Sequence, residues 1–159
     1  MNPVIEMFTD GAAKGNPGPG GYGTILRFNG YEKELSQGYR KTTNNRMELL
    51  AVIAGLEAIK NNQYPVRIFS DSKYVVDSVQ KGWVFNWQKT GFKKKKNSDL
   101  WRRYLDLQKS FKIEFIWVRG HNGHPENERC DRLAVAAASS SHLLVDHFYE
   151  ENEQEISEN

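Results

Sequence analysis

The sequence has almost no cysteine and no long apolar run. Cys130 is the single cysteine among 159 residues, which rules out an intrachain disulfide and fits a reducing compartment. We expect Cys130 to be a small buried side chain on a helix. No stretch approaches the roughly 20 apolar residues of a membrane span, and the first ten residues, which include Glu6 and Asp10, lack a signal-peptide pattern. We therefore expect a cytoplasmic monomer with no membrane or disulfide partner.

Internal repeats and the common nucleotide-binding motifs are also absent. The glycine-rich stretch from Gly11 to Gly21 matches neither a Walker loop nor a GxGxxG fingerprint, which argues against nucleotide binding. Glycines at this density let the backbone approach a partner closely and expose amide donors. A zinc site is disfavoured as well, because the one cysteine follows His121 by nine residues and gives no tetrahedral ligand spacing.

The net charge of +2 conceals two strongly charged segments. Between Lys81 and Lys112 there are ten Lys or Arg and two Asp, a balance of +8, whereas residues 146–159 hold six Asp or Glu and no Lys or Arg. A near-neutral body with one basic segment indicates a polyanionic partner at that place. The acidic segment has few apolar residues after Tyr149, and we expect it to be a disordered tail beyond a domain of residues 1–145.

The order of predicted elements indicates an α/β protein. Strands are predicted over 3–9, 21–28, 31–39, 66–70 and 113–118, and Asn29-Gly30 is a hairpin signal between the second and third. Helices are predicted over 44–60, 72–80, in two pieces within 82–110, and from Pro125 onward. Three consecutive strands followed by alternating helices and strands imply a mixed sheet with helices on its faces.

Four carboxylates stand where strands end or helices begin, among residues otherwise typical of a core: Asp10, Glu48, Asp71 and Asp131. Carboxylates brought together in a dry cleft repel each other unless a hard cation lies between them. An all-oxygen cluster suits Mg²⁺ or Mn²⁺, and two such ions are a usual device for phosphodiester cleavage. Two simpler explanations stay open, because Asp71 could merely cap a helix and the glycines after Asp10 could form a plain flexible loop.

Two further segments could serve such a site. Four polar residues, Thr42 to Asn45, precede the helix that holds Glu48. An ordinary N-cap explains one of them, and the stretch could also hold a phosphate at the helix N-terminus. His121 lies on a glycine-flanked loop and could act as a mobile proton shuttle.

Together these segments resemble the bacterial type 1 ribonucleases H, which degrade the RNA strand of RNA–DNA hybrids. The resemblance extends over about residues 3–145 and is carried by Thr9-Asp10-Gly11, Gly15 to Gly23, Thr42 to Glu48, Ser70-Asp71-Ser72, and Gly120-His121 through Cys130-Asp131. It implies a ribonuclease H-like fold, with a five-stranded mixed sheet of three antiparallel and two parallel strands. It also implies a Mg²⁺-dependent endonuclease that leaves 5′-phosphate and 3′-hydroxyl ends.

The resemblance further implies roles for individual residues. The family's metal-binding carboxylates match Asp10, Glu48, Asp71 and Asp131, and its mobile loop histidine matches His121. Residues that contact the nucleic-acid backbone match Asn16, Thr43, Asn44 and Asn45. A catalytically inactive hybrid-binding module and a DNA nuclease of the same fold are the alternatives. The inactive module is disfavoured because a pure binder of a polyanion gains nothing from clustered carboxylates.

The basic segment matches the family's substrate-binding protrusion, at about residues 81–98. It interleaves aromatic residues with Lys93, Lys94, Lys95 and Lys96, and lysines along a duplex supply salt-sensitive affinity that is independent of sequence. Trp83 or Trp101 could pack on a sugar of the DNA strand, whereas Trp87 could pack inward. Two departures from the family are Lys73, where many relatives have glutamine, and Ala13, where some have cysteine.

Overall fold

A six-stranded sheet forms the centre of the computed structural model, which describes residues 3–119 and 124–156. The strands are β1 (Ile5–Ala13), β2 (Gly18–Phe28), β3 (Tyr31–Thr42), β4 (Val66–Ser70), β5 (Ile113–Trp117) and β6 (Leu143–Leu144). The helices are α1 (Asn44–Ala58), α2 (Lys73–Gln80), α3 (Trp83–Lys89), α4 (Ser98–Gln108), α5 (Pro125–Ala138), α6 (His147–Glu151) and α7 (Glu153–Ile156).

The sheet is mixed, as the sequence predicts, and its strand order is β5-β4-β1-β2-β3-β6. The first three strands pair antiparallel, and β4, β5 and β6 join in parallel. Asn29 and Gly30 both have positive φ, 52° and 87°, which suits the tight hairpin between β2 and β3. The prediction of five strands missed β6, because two residues carry no periodicity that could reveal a strand.

Helices cover both faces of the sheet. The Thr24 hydroxyl donates to the Ala51 carbonyl of α1 at 2.7 Å, while the preceding Gly23 lies against α5. Because neighbouring residues of a strand point to opposite faces, α1 and α5 lie on opposite sides. The larger core lies on the α1 side and includes Met7, Ile53 and other apolar residues of α1, α2 and α4.

Two glycines let these helices come close to the strands. A side chain at Gly11 would place its Cβ 2.4 Å from the Glu48 nitrogen, and one at Gly23 would lie 2.4 Å from the Cys130 carbonyl oxygen. Both distances are shorter than atoms allow, so any larger residue would push a helix away. The close packing brings Glu48 of α1 and Asp131 of α5 toward the strand that carries Asp10.

Cys130 is buried on α5, as the sequence predicts. Its Sγ lies 3.2 Å from the Phe8 carbonyl oxygen, to which it donates. Burial raises the pKa of the thiol to about 12, so the thiolate that reacts with oxidants is scarce.

The acidic C-terminal segment differs from the expected disordered tail. Asp146 is buried and accepts hydrogen bonds from the Thr42 hydroxyl and Arg46, each at 2.7 Å. Helix α6 follows, with Tyr149 buried. Two more acidic residues pair with β3, Glu150 with Arg40 and Glu153 with Lys41. These basic partners lie over a hundred residues earlier, which is why a local charge count misses them.

Helix length and polarity also bear on the membrane question. None of the helices within residues 3–119 and 124–156 has both the length and the apolar character needed to cross a bilayer.

Candidate active site

Three of the four predicted carboxylates converge in the structure. Asp10, Glu48 and Asp71 each offer an oxygen, and these oxygens lie within 4.8 Å of one another. Asp10 is on β1 and Asp71 follows β4, its parallel neighbour, so both carboxylates stand at the carboxyl-terminal edge where open α/β sheets bind ligands. Glu48 reaches them from one turn into α1, because Gly11 leaves room for that helix.

Asp131 borders this cluster without belonging to it. It is half-buried on the second turn of α5. Among the described residues, the group with mutually close oxygens contains the other three carboxylates alone. The charge of Asp131 nevertheless contributes to raising the pKa of Asp10.

The electrostatics of the cluster are unfavourable. Burial raises the pKa of Asp10 to about 8, Asp71 and Asp131 act in the same direction, and the Gly11 amide, 2.9 Å from Oδ1, opposes them. Burial is also the main cause that raises the pKa of Glu48 well above its ordinary range, followed by Asp10 and Asp71. Glu48 Oε1 and Asp71 Oδ1 are buried without a hydrogen-bond partner in the described part of the chain. A hard divalent cation would satisfy these oxygens.

Asp71 does not cap the helix that follows it. The N-cap of α2 is Ser72, whose hydroxyl accepts from the Val75 amide at 3.2 Å. The alternative in which Asp71 is only a helix cap is therefore wrong. Its carboxylate is left for the cluster.

The glycine-rich loop is tied to the start of α1. The Asn16 side-chain oxygen accepts from the Asn44 amide at 3.0 Å, and the Asn44 oxygen accepts from the Ala13 amide at 2.6 Å. Thr43 is the N-cap of α1, and its hydroxyl accepts from the Arg46 amide at 3.2 Å. This loop is therefore a structured part of the site. The nucleic-acid contacts of Asn16, Thr43, Asn44 and Asn45 stay predictions.

The basic segment presents some of its predicted residues and buries another. Trp83 on α3 and Lys93 to Lys96 are exposed. Trp87 packs partly against the core, as the sequence suggests. Trp101 is fully buried on α4 and donates to the Tyr74 hydroxyl at 2.8 Å. The prediction that Trp101 packs on a sugar is therefore wrong, because its ring has no exposed surface.

His121 lies outside the described residues, as do its neighbours 120–123. The role predicted for it from the sequence stays a prediction.

Sequence reasoning missed two side chains beside the cluster. Trp117 donates from its indole N–H to the Asp71 carbonyl at 3.3 Å, and the Lys73 ammonium lies 4.5 Å from the centre of its ring. Asn127 is buried on the first turn of α5 and donates to carbonyls of β1 and β4. Its spacing of four residues from Asp131 was the available signal, since such residues share one helix face.

Comparisons with known proteins agree with this geometry. The RNase H family model matches residues 2–139. A ribonuclease H of Desulforamulus reducens is 53% identical over 147 residues, which cover 89% of this chain and 92% of that protein. Among solved structures, LC9-RNase H1, a type 1 RNase H with the type 2 active-site motif, is 33% identical with a TM-score of 0.78, covering 95% of this chain and 81% of that one. LC11-RNase H1, solved in complex with an RNA/DNA hybrid, is 26% identical with a TM-score of 0.65, covering 84% and 96%.

Proposed function

The chain belongs to the ribonuclease H family, and from this premise we propose that it is an endoribonuclease that hydrolyses the RNA strand of RNA–DNA hybrids. The products would carry 5′-phosphate and 3′-hydroxyl ends. The observation that carries the proposal is the cluster of Asp10, Glu48 and Asp71, whose oxygens lie within 4.8 Å of one another. Such a cluster serves phosphodiester hydrolysis by divalent ions.

The donor set fits hard divalent cations. It consists of oxygens, and two of them are buried without a partner among the described residues. We propose that Asp10, Glu48, Asp71 and Asp131 hold two Mg²⁺ ions, with Mn²⁺ as a possible substitute. When bound, such ions supply an activated water and stabilise the departing oxygen. The task of the protein is to hold these carboxylates together in spite of their repulsion.

Recognition of the hybrid is proposed to involve two surfaces. Near the carboxylates, Asn16, Thr43, Asn44 and Asn45 would contact the nucleic-acid backbone at the N-terminus of α1, where amide groups favour phosphate. Farther along, Trp83 and Lys93 to Lys96 would follow the duplex, which their exposure supports. The RNA strand would be selected by its 2′-hydroxyls, and the other strand by a DNA-like backbone.

His121 is proposed to move a proton during turnover, because a histidine on a glycine-flanked loop suits that task. His121→Ala should slow turnover roughly ten- to a thousandfold without abolishing it. Single-turnover rates across pH would measure this. A loss as complete as that of a carboxylate variant would argue against the assignment.

An inactive hybrid-binding module is the weaker alternative. A protein that only binds a polyanion would gain nothing from a cluster of carboxylates such as Asp10, Glu48 and Asp71. The family membership and the intact cluster both support an enzyme.

The deciding experiment compares end-labelled hybrid, double-stranded RNA and double-stranded DNA, each with Mg²⁺ and with a chelator. We expect the hybrid to be the one substrate that is cleaved. Its RNA strand should be cut and its DNA strand should stay intact, and cleavage should require Mg²⁺. Cleavage of the DNA duplex would favour a DNA nuclease, and tight hybrid binding without cleavage would favour the inactive module. Light scattering of the same sample should give the mass of one chain, since we propose a cytoplasmic monomer.

A further inference from the structure

The sheet splits at the point where the active site begins. The parallel pairing of β1 with β4 ends at Phe8 and Phe69. Beyond it, β1 continues to pair with β2 through Asp10, whereas β4 continues to pair with β5 through Ser70. Asp10 and Asp71 therefore stand on opposite sides of a gap that no ladder hydrogen bond between β1 and β4 closes.

The side chain of Asn127 bridges this gap. The Asn127 Nδ2 donates to the Thr9 carbonyl at 3.2 Å and to the Phe69 carbonyl at 3.1 Å. Thr9 directly precedes Asp10 on one strand, and Phe69 lies two residues before Asp71 on the other. Two carbonyl acceptors require the amide nitrogen at this place, so the orientation of the side chain follows from its partners. Asn127 thus links the two strands at the level of their carboxylates.

The same link reaches a third carboxylate. Asn127 precedes Asp131 by four residues on α5, and residues at that spacing share one helix face. The elements that carry Asp10, Asp71 and Asp131 are therefore joined through a single amide.

The remaining oxygen of Asn127 makes this arrangement unusual. Asn127 is 9% exposed, and its Oδ1 is buried without a hydrogen-bond partner among the described residues. An unpaired buried carbonyl is costly and calls for an explanation beyond packing. The side chain cannot turn its oxygen toward another donor without giving up the two bonds that its nitrogen makes to Thr9 and Phe69.

We propose that Asn127 is a positioning residue that sets the separation of Asp10 from Asp71 and, through it, the affinity of the cluster for divalent metal. Mg²⁺ requires near-ideal octahedral geometry at about 2.0–2.1 Å, so a small change in the gap weakens binding. The inference rests on the proposed function in taking the carboxylates as the metal site. Its test does not depend on cleavage.

The test compares Asn127→Ala with Cys130→Ala. Cys130 is buried on the same helix one turn later and also donates to a β1 carbonyl, that of Phe8 at 3.2 Å, yet it does not bridge the two strands. Metal binding to the substrate-free protein is measured by Mn²⁺ titration calorimetry and by the Mg²⁺-dependent rise in melting temperature. The melting temperature without metal, KM and kcat are measured on the same samples.

Without metal, we expect both variants to have a lower melting temperature than the wild type. Only Asn127→Ala should lose metal affinity. Its dissociation constant should rise roughly 10–100-fold, as for outer-shell partners of metal ligands. Turnover at low Mg²⁺ should fall while KM for the hybrid stays nearly constant. A wild-type dissociation constant in Asn127→Ala, or an equal loss in Cys130→Ala, would overturn the inference.

A second variant decides the matter if Asn127→Ala is unfolded at the assay temperature. The Thr9 hydroxyl donates to the same Phe69 carbonyl at 3.4 Å, so Thr9→Val removes a weaker link across the gap with little change in volume. Its metal dissociation constant should rise roughly two- to fivefold, the effect of one ordinary hydrogen bond. An unchanged constant there would contradict the inference. If the wild type binds metal as expected but does not cleave the hybrid, the proposed function fails and the positioning role of Asn127 stands.

Discussion

Helix α1 carries two charges into the protein, two residues apart, and their surroundings are opposite. Arg46 is 2% exposed and contacts two carboxylates, Asp99 and Asp146, each at 2.7 Å. Glu48 lies instead beside Asp10 and Asp71, which have the same sign. We call the first set the arginine cluster and the second the carboxylate cluster.

The two clusters differ in how burial and neighbouring charges act on the pKa of the side chain from α1. In the arginine cluster, burial alone would lower the pKa of Arg46, but its bonds to Asp99 and Asp146 reverse this and raise it. In the carboxylate cluster, burial and neighbouring charges act in the same direction and raise the pKa of Glu48. One cluster is complete within the chain, whereas the other is complete only with cations from solution. We therefore expect the first to serve the fold and the second to serve the chemistry of the proposed function.

The largest expected effect comes from removing a charge from the carboxylate cluster. Asp71→Asn should reduce hybrid cleavage by roughly a thousandfold or more, because several kcal/mol of transition-state stabilisation are lost. Hybrid affinity, measured by fluorescence anisotropy, should change little. The matched change in the arginine cluster, Asp99→Asn, should keep most of the turnover. Near-normal cleavage by Asp71→Asn would remove the distinction between the clusters.

The next effect concerns stability and the arginine cluster. Arg46→Met leaves Asp99 and Asp146 without their shared cation, and we expect the free energy of unfolding to fall by about 3–5 kcal/mol. Urea denaturation measures this. An exposed pair gives the control, since Arg103 and Glu57 are joined at 3.0 Å but are each nearly half exposed. Arg103→Met should cost less than about 1 kcal/mol, and an equal loss in both variants would show that burial of Arg46 is unimportant.

A smaller effect on stability, a gain where Arg46→Met gives a loss, is expected for Asp10→Asn in the absence of metal. The pKa of Asp10 is raised from 3.8 to about 8, so the folded protein keeps a proton that the unfolded chain has lost. Stability should therefore fall as pH rises from about 4 to about 8. Asp10→Asn should flatten this slope and stabilise the metal-free protein at pH 8 by about 1–3 kcal/mol.

Melting in a chelator at pH 5 and pH 8 checks that prediction. Added Mg²⁺ should raise the wild-type melting temperature more than that of the variant. Identical pH slopes for the two proteins would mean that burial and the neighbouring carboxylates do not raise the pKa of Asp10 in the folded state.

The smallest effect is expected from the exposed lysines of the basic segment. Changing Lys93, Lys94, Lys95 and Lys96 to Ala should flatten the salt dependence of hybrid binding, by roughly 0.9 in the log–log slope for each phosphate that is no longer neutralised. Turnover at saturating hybrid should hardly change. Lys60→Ala, another exposed lysine, is the control and should leave the slope unaltered. An unchanged slope in the four-lysine variant would mean that these charges are only a solvated surface.

Much of the fold can be predicted because its signals are local. The predicted strand at 66–70 has the bounds that the structure gives to β4, and Pro125 opens α5 at the first turn. The predicted end of β1, before Asp10, is too early. Glycines and alanines are poor strand formers, and the pairing of this region is set by β2 rather than by its own propensity.

The site is predictable to the extent that its residues interrupt a local pattern. Carboxylates where apolar strands end or helices begin stand out, and three of them, Asp10, Glu48 and Asp71, converge. The position of Trp101 just after the lysines suggests a surface residue. Its neighbours Leu100, Tyr104 and Leu105 have the spacing of a buried helix face, which is the better signal. The spacing of Asn127 from Asp131 places both residues on one helix face. The bonds of Asn127 to β1 and β4 could not be predicted, because the split between these strands exists only once the sheet is formed.

The arginine cluster also sets an order in time. Arg46 and Asp146 are 100 residues apart in the chain, a separation that takes about 5–20 s to synthesise at typical elongation rates. During that interval β1, β2, β3 and α1 exist without the second carboxylate that balances the buried guanidinium. We expect the nascent chain to keep the start of α1 in water until residue 146 has emerged, because burying that cation earlier would leave it incompletely paired.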